Sequence, residues 1–378
     1  MKKILVISPS NKGTIASCTA NIINTLTKCE DVEVYPLVLY NEKDGLSIYN
    51  NCRFIIDSAT GSQESTGFLK RLRKFKSIKK EIKPDITIST LVSVNTLSVL
   101  SGGHDKKIGI FHAPLAQTKN VSMLNFILCT LSYKFLFRKL DYLYAVSETT
   151  KKDVEANTGQ KVQLVYNIHN FEMIEQKAQE PLSAEESSIF GKPTVLYVGH
   201  LYDTKGVRRL LQAFSKVSSE ANLVLVGGSV NGTIPQTYID LANELCIGQR
   251  TYFLGHQSNP YKYMKNCSVF CLPSYSEGLP GVLIEALSLN KKVITTNSSI
   301  GDWEIMQCFD DYNSDVTLPF ETELGIITSN EDKGNKCINQ LTDAIEKLLL
   351  TDSRLIPFDK TRFEGKSLAK YYLLENEK

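Results

Sequence analysis

Residues 271–296 read CLPSYSEGLPGVLIEALSLNKKVITT, a succession of strand, turn-rich loop, helix and strand. An apolar run ends at Leu272, and Pro273, Ser274, Tyr275 and Ser276 interrupt it. Pro280 stands where a first helical residue is expected, because its fixed φ and missing N–H suit that place. The pattern predicts a helix over 280–289 and a strand over 292–295. Glu277 lies just outside the helix start, and seven residues separate it from Glu285 inside the helix. Backbone N–H groups between Gly278 and Gly281, Leu279 included, lack intrahelical acceptors and carry partial positive charge. Such a start can hold a phosphate or orient sugar hydroxyls. Glu277 can accept hydrogen bonds from a hexose. Glu285, one layer deeper, can accept two parallel O–H bonds from a ribose diol.

Outward from this stretch the same alternation continues in both directions. Strands are expected at 194–198, 223–226, 251–254 and 269–272, with helices at 206–217, 239–245 and 337–350. Before residue 170, strands are expected at 3–8, 32–39, 53–57, 86–89, 107–112 and 142–146. Helices are expected there at 16–26, 69–83 and 125–140. Strands that are apolar throughout and alternate with helices indicate parallel sheets covered on both faces. Residues 172–192 are polar, include QKAQEPLSAEESS, and read as an interdomain linker. A last helix is expected over 362–375. The chain of 378 residues is long enough for two domains rather than one core. The expectation is two open α/β domains of similar size, with ligand bound at strand carboxyl ends in the cleft between them.

Hydrophobic residues are 42% and charged residues 22% of the chain, a globular mixture. The N-terminal apolar run, residues 4–7, is too short for a secretory h-region, and nothing approaches a membrane span. Nine scattered cysteines without a CxxC pair or zinc-ligand spacing read as reduced, structural residues of a cytoplasmic protein. Charge is uneven. Residues 1–180 hold 24 Lys and Arg against 17 Asp and Glu, while the net charge of the whole chain is +2. Part of that excess is LKRLRKFKSIKKEIK, residues 69–83, which reads as an amphipathic basic helix. It is either a solvated face or a surface for anionic lipid headgroups. No nucleic-acid motif accompanies it.

Residues 273–280, Pro-Ser-Tyr-Ser-Glu-Gly-Leu-Pro, followed by Glu285-Ala286, resemble the signature of the retaining, two-Rossmann-domain glycosyltransferases of family four, the GT-B fold. In that family the first glutamate touches the donor sugar and the second binds the nucleotide ribose. A second segment agrees: Gly199-His200-Leu201, then Lys205-Gly206, follows the family's Gly-Arg-Leu-x-x-x-Lys-Gly. Lys205 in a strand-to-helix loop is a point charge suited to a diphosphate. His200 replaces the usual arginine, exchanging a permanent charge for a conditional one.

The resemblance implies a domain 1–175 that binds acceptor, a domain 190–355 that binds donor, and a C-terminal segment 356–378 returning to the first domain. It implies catalytic roles for Glu277, Lys205 and His112, the last at a strand end where relatives contact the sugar. It implies donor contacts from His200, Gly278, Leu279, Pro280, Gly281 and Glu285, from Gly255 and His256 around the nucleoside, and from Gly13 in the first loop. The sequence has no Asp-x-Asp triplet, so no metal or cofactor is expected and lysine, histidine and helix N-termini must neutralise the leaving diphosphate. The implied activity is retaining transfer of a hexose from a UDP- or GDP-sugar to a polysaccharide-precursor, lipid-linked or glycolipid acceptor at the cytoplasmic membrane face. Two rivals remain from sequence: a sugar-nucleotide epimerase of similar fold, and a non-catalytic paralogue acting as a partner subunit.

Overall fold

The computed structural model describes residues 1–42, 45–57, 67–115, 123–218, 220–229, 232–312, 315–351 and 357–375. The chain divides into two compact units, one comprising residues 1–170 with 361–378 and the other residues 171–360. Each is an α/β unit built on a seven-stranded sheet.

In the first unit, β1 (Lys2–Ser10), α1 (Thr14–Thr27), β2 (Val32–Asn41) and β3 (Arg53–Asp57) are followed by α2 (Phe68–Ile82), β4 (Ile86–Thr90), α3 (Val92–Leu100) and β5 (Lys106–Phe111). Next come α4 (Met123–Leu131), β6 (Tyr142–Ala145), α5 (Glu148–Thr158) and β7 (Gln163–Leu164). All pairings are parallel, in the order β3-β2-β1-β4-β5-β6-β7. Because strand side chains alternate between faces, Ile4 and Val6 pack with Ala20, Ile23 and Leu26 of α1, while Leu5 and Ile7 pack with Phe75, Ile78 and Ile82 of α2. Strand order reverses direction of growth between β1 and β4, the place where doubly wound sheets open a crevice at their carboxyl ends.

Two helices of this unit differ from expectation. The predicted helix 125–140 is not one element. After α4 it widens into a π-helical turn, Ser132–Leu136, and tightens into a 3₁₀ turn, Phe137–Lys139. The change places Tyr133 and Phe137 against Phe111, with ring centroids 5.2–5.5 Å apart. In α2, Leu69, at an apolar position of the helical pattern, is exposed, and Lys79 is buried against Asp105 at 2.7 Å.

The second unit opens with α6 (Phe171–Ala178) and α7 (Ala184–Phe190), so the expected linker is helical. Ser183 and Glu186 form a capping box at the start of α7, and S-x-x-E is the sequence form of that motif. Then follow β8 (Thr194–Val198), α8 (Val207–Phe214), β9 (Asn222–Val226), α9 (Gln236–Glu244), β10 (Thr251–Gly255), α10 (Tyr261–Asn266) and β11 (Val269–Leu272). After these come α11 (Gly281–Ser288), β12 (Lys292–Thr296), α12 (Ile300–Ile305), β13 (Phe320–Thr322), β14 (Gly325–Thr328) and α13 (Lys336–Leu350). The sheet runs β10-β9-β8-β11-β12-β14-β13, parallel except for the edge strand β13. Glu186 of α7 accepts from Lys262 Nζ at 2.9–3.0 Å, and Asn259 Nδ2 donates to Lys177 O at 2.9 Å. The polar composition that suggested a linker serves these tethers to α10. Finally α14 (Gly365–Leu373), shorter than the expected 362–375, buries Leu368, Tyr372 and Leu373 in the core of the first unit.

Candidate active site

The four residues of β11 are buried, and the chain leaves Leu272 into the 273–280 loop. Pro280 is the residue before α11 rather than its first residue; its ψ of 99° is not helical, and Gly281 begins the helix. Glu277 therefore stands outside the helix start, and Glu285 lies in the second turn of the helix.

Glu277 is gripped from two sides. Lys205 Nζ donates to its two carboxylate oxygens at 2.7 and 2.9 Å, and Ser274 Oγ donates to Oε1 at 2.6 Å. The lysine side chain is 28% exposed and the glutamate 12%. Lys205 closes a 3₁₀ turn, Asp203–Lys205, after β8. Gly206 then takes φ +70°, and a Cβ there would lie 1.8 Å from Pro273 O. Only glycine permits this backbone conformation and this approach together. Tyr275 N donates to Thr204 O at 2.9 Å, so the lysine loop and the glutamate loop are joined through their backbones.

Beneath this junction lies Arg209, 1% exposed. Its Nε donates to Pro273 O at 2.7 Å, and Nη2 donates to Ser274 O at 2.6 Å and to Asn330 Oδ1 at 2.8 Å. The guanidinium carbon lies 3.8 Å from the Tyr275 ring centroid. Asn330 Nδ2 donates to Tyr275 O at 2.7 Å. Read as a sequence, Arg209 is one more residue of an amphipathic helix; its partners lie over sixty residues away, and no local signal marks them.

Glu285 is reached by Tyr261 Oη at 3.4 Å, and burial pushes its carboxyl up to about 7. Asp302, at the start of α12, is fully buried and accepts from Ser298 N, Ser298 Oγ, Ser299 N and Thr295 Oγ1 at 2.7–3.1 Å. Burial raises its carboxyl to about 7 as well. Ser299 Oγ donates to Gly278 O at 3.2 Å, and a Cβ on Gly301 would lie 2.1 Å from that oxygen. The start of α12 is thus packed directly on the Gly278–Leu279 backbone, a support that no sequence spacing announced. Among the described residues, no three His, Cys, Asp or Glu side chains gather as a metal site.

The remaining expected residues lie on other segments. His200 is exposed, and its ring stacks on Tyr202 at 5.1 Å with 9° between planes, rather than on Lys205 or Glu277. Gly255 ends β10 at φ +66°, its carbonyl accepts from Gly227 N at 2.8 Å, and His256 is exposed after it. In the first unit, Gly13 precedes α1 at φ +88° with no side-chain cap. His112 follows β5; its Nε2 is buried without a hydrogen-bond partner, and burial lowers its pKa to about 4.

Residues 179–306 match the family of glycosyl transferases group 1. That span includes Lys205, Glu277, Glu285 and Asp302. The match covers about a third of the chain. It is 28% identical over 277 residues to an uncharacterised glycosyltransferase of Methanocaldococcus jannaschii, covering 69% of this chain and 67% of that one. Over 173 residues it is 30% identical to the Campylobacter jejuni N-acetylgalactosamine-N,N'-diacetylbacillosaminyl-diphospho-undecaprenol 4-alpha-N-acetylgalactosaminyltransferase, 45% of each chain. The structure of Anabaena HepE in complex with UDP-glucose superposes with a TM-score of 0.68 at 14% identity, covering 100% of this chain and 99% of that one. The last likeness establishes the GT-B fold alone.

The cluster at the carboxyl ends of β8 and β11 sets a cation and two carboxylates close together in sequence and fold. Lys205 is a cation held in place by a carboxylate it can leave. Glu277 and Glu285 are acceptors at two depths along one helix start.

Proposed function

We propose that the protein transfers a hexose-type sugar from a UDP- or GDP-sugar, with net retention and without a metal, to a lipid-linked, glycolipid or polysaccharide-precursor acceptor. The observation that carries this reading is the two-oxygen ion pair of Lys205 with Glu277, set beside Glu285 on the same loop-helix segment. In the donor complex Lys205 turns to the diphosphate, and Glu277, released, accepts from sugar hydroxyls. Glu285 accepts the ribose diol. The amides at the start of α11, His200 and Lys205 neutralise the charge that develops on the leaving phosphate. His112, neutral at physiological pH given its lowered pKa, has a hydrogen-bonding role towards a sugar hydroxyl rather than a proton-carrying one. Gly13 allows a close backbone approach at the start of α1. Same-face attack by the acceptor accounts for retention without a covalent intermediate.

The lipid-linked acceptor is supported by the Campylobacter relative, whose name gives a diphospho-undecaprenol substrate. With it goes a peripheral position at the inner membrane face, for which α2 is the proposed contact. Lys70, Arg73, Lys74, Lys76 and Lys80 are exposed there beside Phe68 and Leu69; clustered basic residues are attracted by anionic headgroups at about 1 kcal/mol each. Among the described residues no helix is long and apolar enough to cross a membrane.

The test is product analysis by NMR with UDP- and GDP-sugars, a lipid-linked acceptor and excess EDTA. The expected product keeps the donor's anomeric configuration and forms at the same rate with the chelator. An inverted product, dependence on a divalent ion, or an epimerised nucleotide sugar formed without acceptor would each overturn the reading.

A further inference from the structure

We propose that Arg209 is a positioning residue for the transfer step, setting the spacing between Lys205 and Glu277 while their ion pair is open. The inference rests on the donor site proposed above. Before donor binds, three ties connect the lysine loop to the glutamate loop: the Lys205–Glu277 ion pair, the Tyr275 N to Thr204 O bond at 2.9 Å, and Arg209. Binding a diphosphate draws Lys205 away from Glu277 and removes the first. The backbone bond that remains is a single hinge about which the two loops can rotate.

Arg209 removes that freedom. It leaves α8 only four residues after Lys205 and grips consecutive carbonyls, Pro273 O and Ser274 O, with one planar fork. Its face lies on the Tyr275 ring, and Asn330 passes the restraint on to Tyr275 O. The carbonyls of three successive residues are thereby fixed, two positions before Glu277. A rigid fork serves this purpose better than a flexible ammonium. The guanidinium is almost fully buried, although Asp332 Oδ1 lies no nearer than 3.5 Å from Nη1. Burying a charge with so loose a counter-ion is costly, and several strong bonds to one short loop are what it obtains.

The experiment compares Arg209→Met, Arg209→Lys and Asn330→Ala in the full chain. It measures kcat at saturating donor, the Kd of the free nucleoside diphosphate, and the melting temperature. A misplacement of about 1 Å at a reacting centre costs on the order of 100-fold in rate. Arg209→Met is expected to lower kcat about 100-fold while the nucleoside diphosphate Kd stays within about threefold, because Glu285, Lys205 and the α11 amides all remain to bind it. Arg209→Lys is expected to recover no more than about a tenth of the wild-type rate, and Asn330→Ala to lose about 10-fold. A kcat within about threefold of wild type in Arg209→Met, or parallel losses in kcat and Kd, overturns the proposal. If Arg209→Met does not fold, Asn330→Ala decides alone, and a kcat within twofold with an unchanged Kd refutes it. Failure of wild type to bind any nucleoside diphosphate would instead refute the donor site on which the inference stands.

Discussion

Replacing Glu277 by glutamine is expected to tighten the binding of a free nucleoside diphosphate while disabling transfer. In the structure Lys205 is already committed to Glu277 at 2.7 and 2.9 Å, so an incoming diphosphate must first compete with a carboxylate. With side chains 28% and 12% exposed, the pair lies between surface pairs worth under about 1 kcal/mol and buried pairs whose disruption costs about 3–5 kcal/mol. Glutamine keeps an acceptor for Ser274 and Lys205 but removes the charge, leaving about 1–2 kcal/mol in favour of the free lysine. That is a factor of roughly 5–30 in the Kd of the nucleoside diphosphate. The nucleoside without phosphates has nothing to gain from Lys205, and its Kd should change less than twofold. Loss of the carboxylate proposed to accept from the sugar should meanwhile cost about 10²–10³ in kcat. Isothermal titration of the variant and wild type with both ligands, at 0.15 M and 1 M salt, measures the effect; the gain should shrink at the higher salt. Unchanged or weaker diphosphate binding in the variant would refute the idea that Glu277 holds Lys205 in reserve.

Two further perturbations probe the same loops. The carboxyl of Glu285 is raised to about 7 from 4.5; in its proposed role it accepts the ribose diol in its ionised form, so donor affinity should rise as pH increases through about 7. Stability moves the other way. The folded state keeps its proton while the unfolded chain loses it above pH 4.5, so stability falls between pH 4.5 and 7, by up to about 3 kcal/mol. Glu285→Gln should therefore melt higher than wild type at pH 8, match it near pH 4, and bind donor poorly at both; a lower melting temperature at pH 8 would contradict this. Gly206→Ala should be among the most damaging small substitutions, costing more than about 2 kcal/mol, because its Cβ meets Pro273 O at 1.8 Å at a φ of +70°. A denaturant titration showing a loss under about 0.5 kcal/mol would sink that account of the loop junction.

The sheets were legible because their strands are covered on both faces and read as unbroken apolar runs, such as the ILVI of β1 and the VFCL of β11. The glutamate pair was legible because Pro, Ser, Gly and Glu occupy a loop whose chemistry is local. What sequence missed is what tertiary partners decide. Residues 172–192 read as a linker because polar side chains are ordinarily solvated, whereas Glu186 bonds Lys262 and caps its own helix. The π turn after α4 arises from packing of Tyr133 and Phe137 on Phe111, which no helical periodicity contains. Arg209 and Asp302 flank the signature loop from distant segments, so their roles became visible only with the fold.

The most direct test of the account is a thermal-shift comparison of wild type and Glu285→Gln against UDP, GDP, ADP and their sugars. A ligand at about 100 times its Kd stabilises the native state by about 2.7 kcal/mol, enough to raise a domain of this size by several degrees. A UDP or GDP compound is expected to raise the wild-type melting temperature by that amount and to leave Glu285→Gln almost unmoved. An equal rise in both proteins, or none with any of these nucleotides, would contradict a nucleotide-sugar site between Glu277 and Glu285.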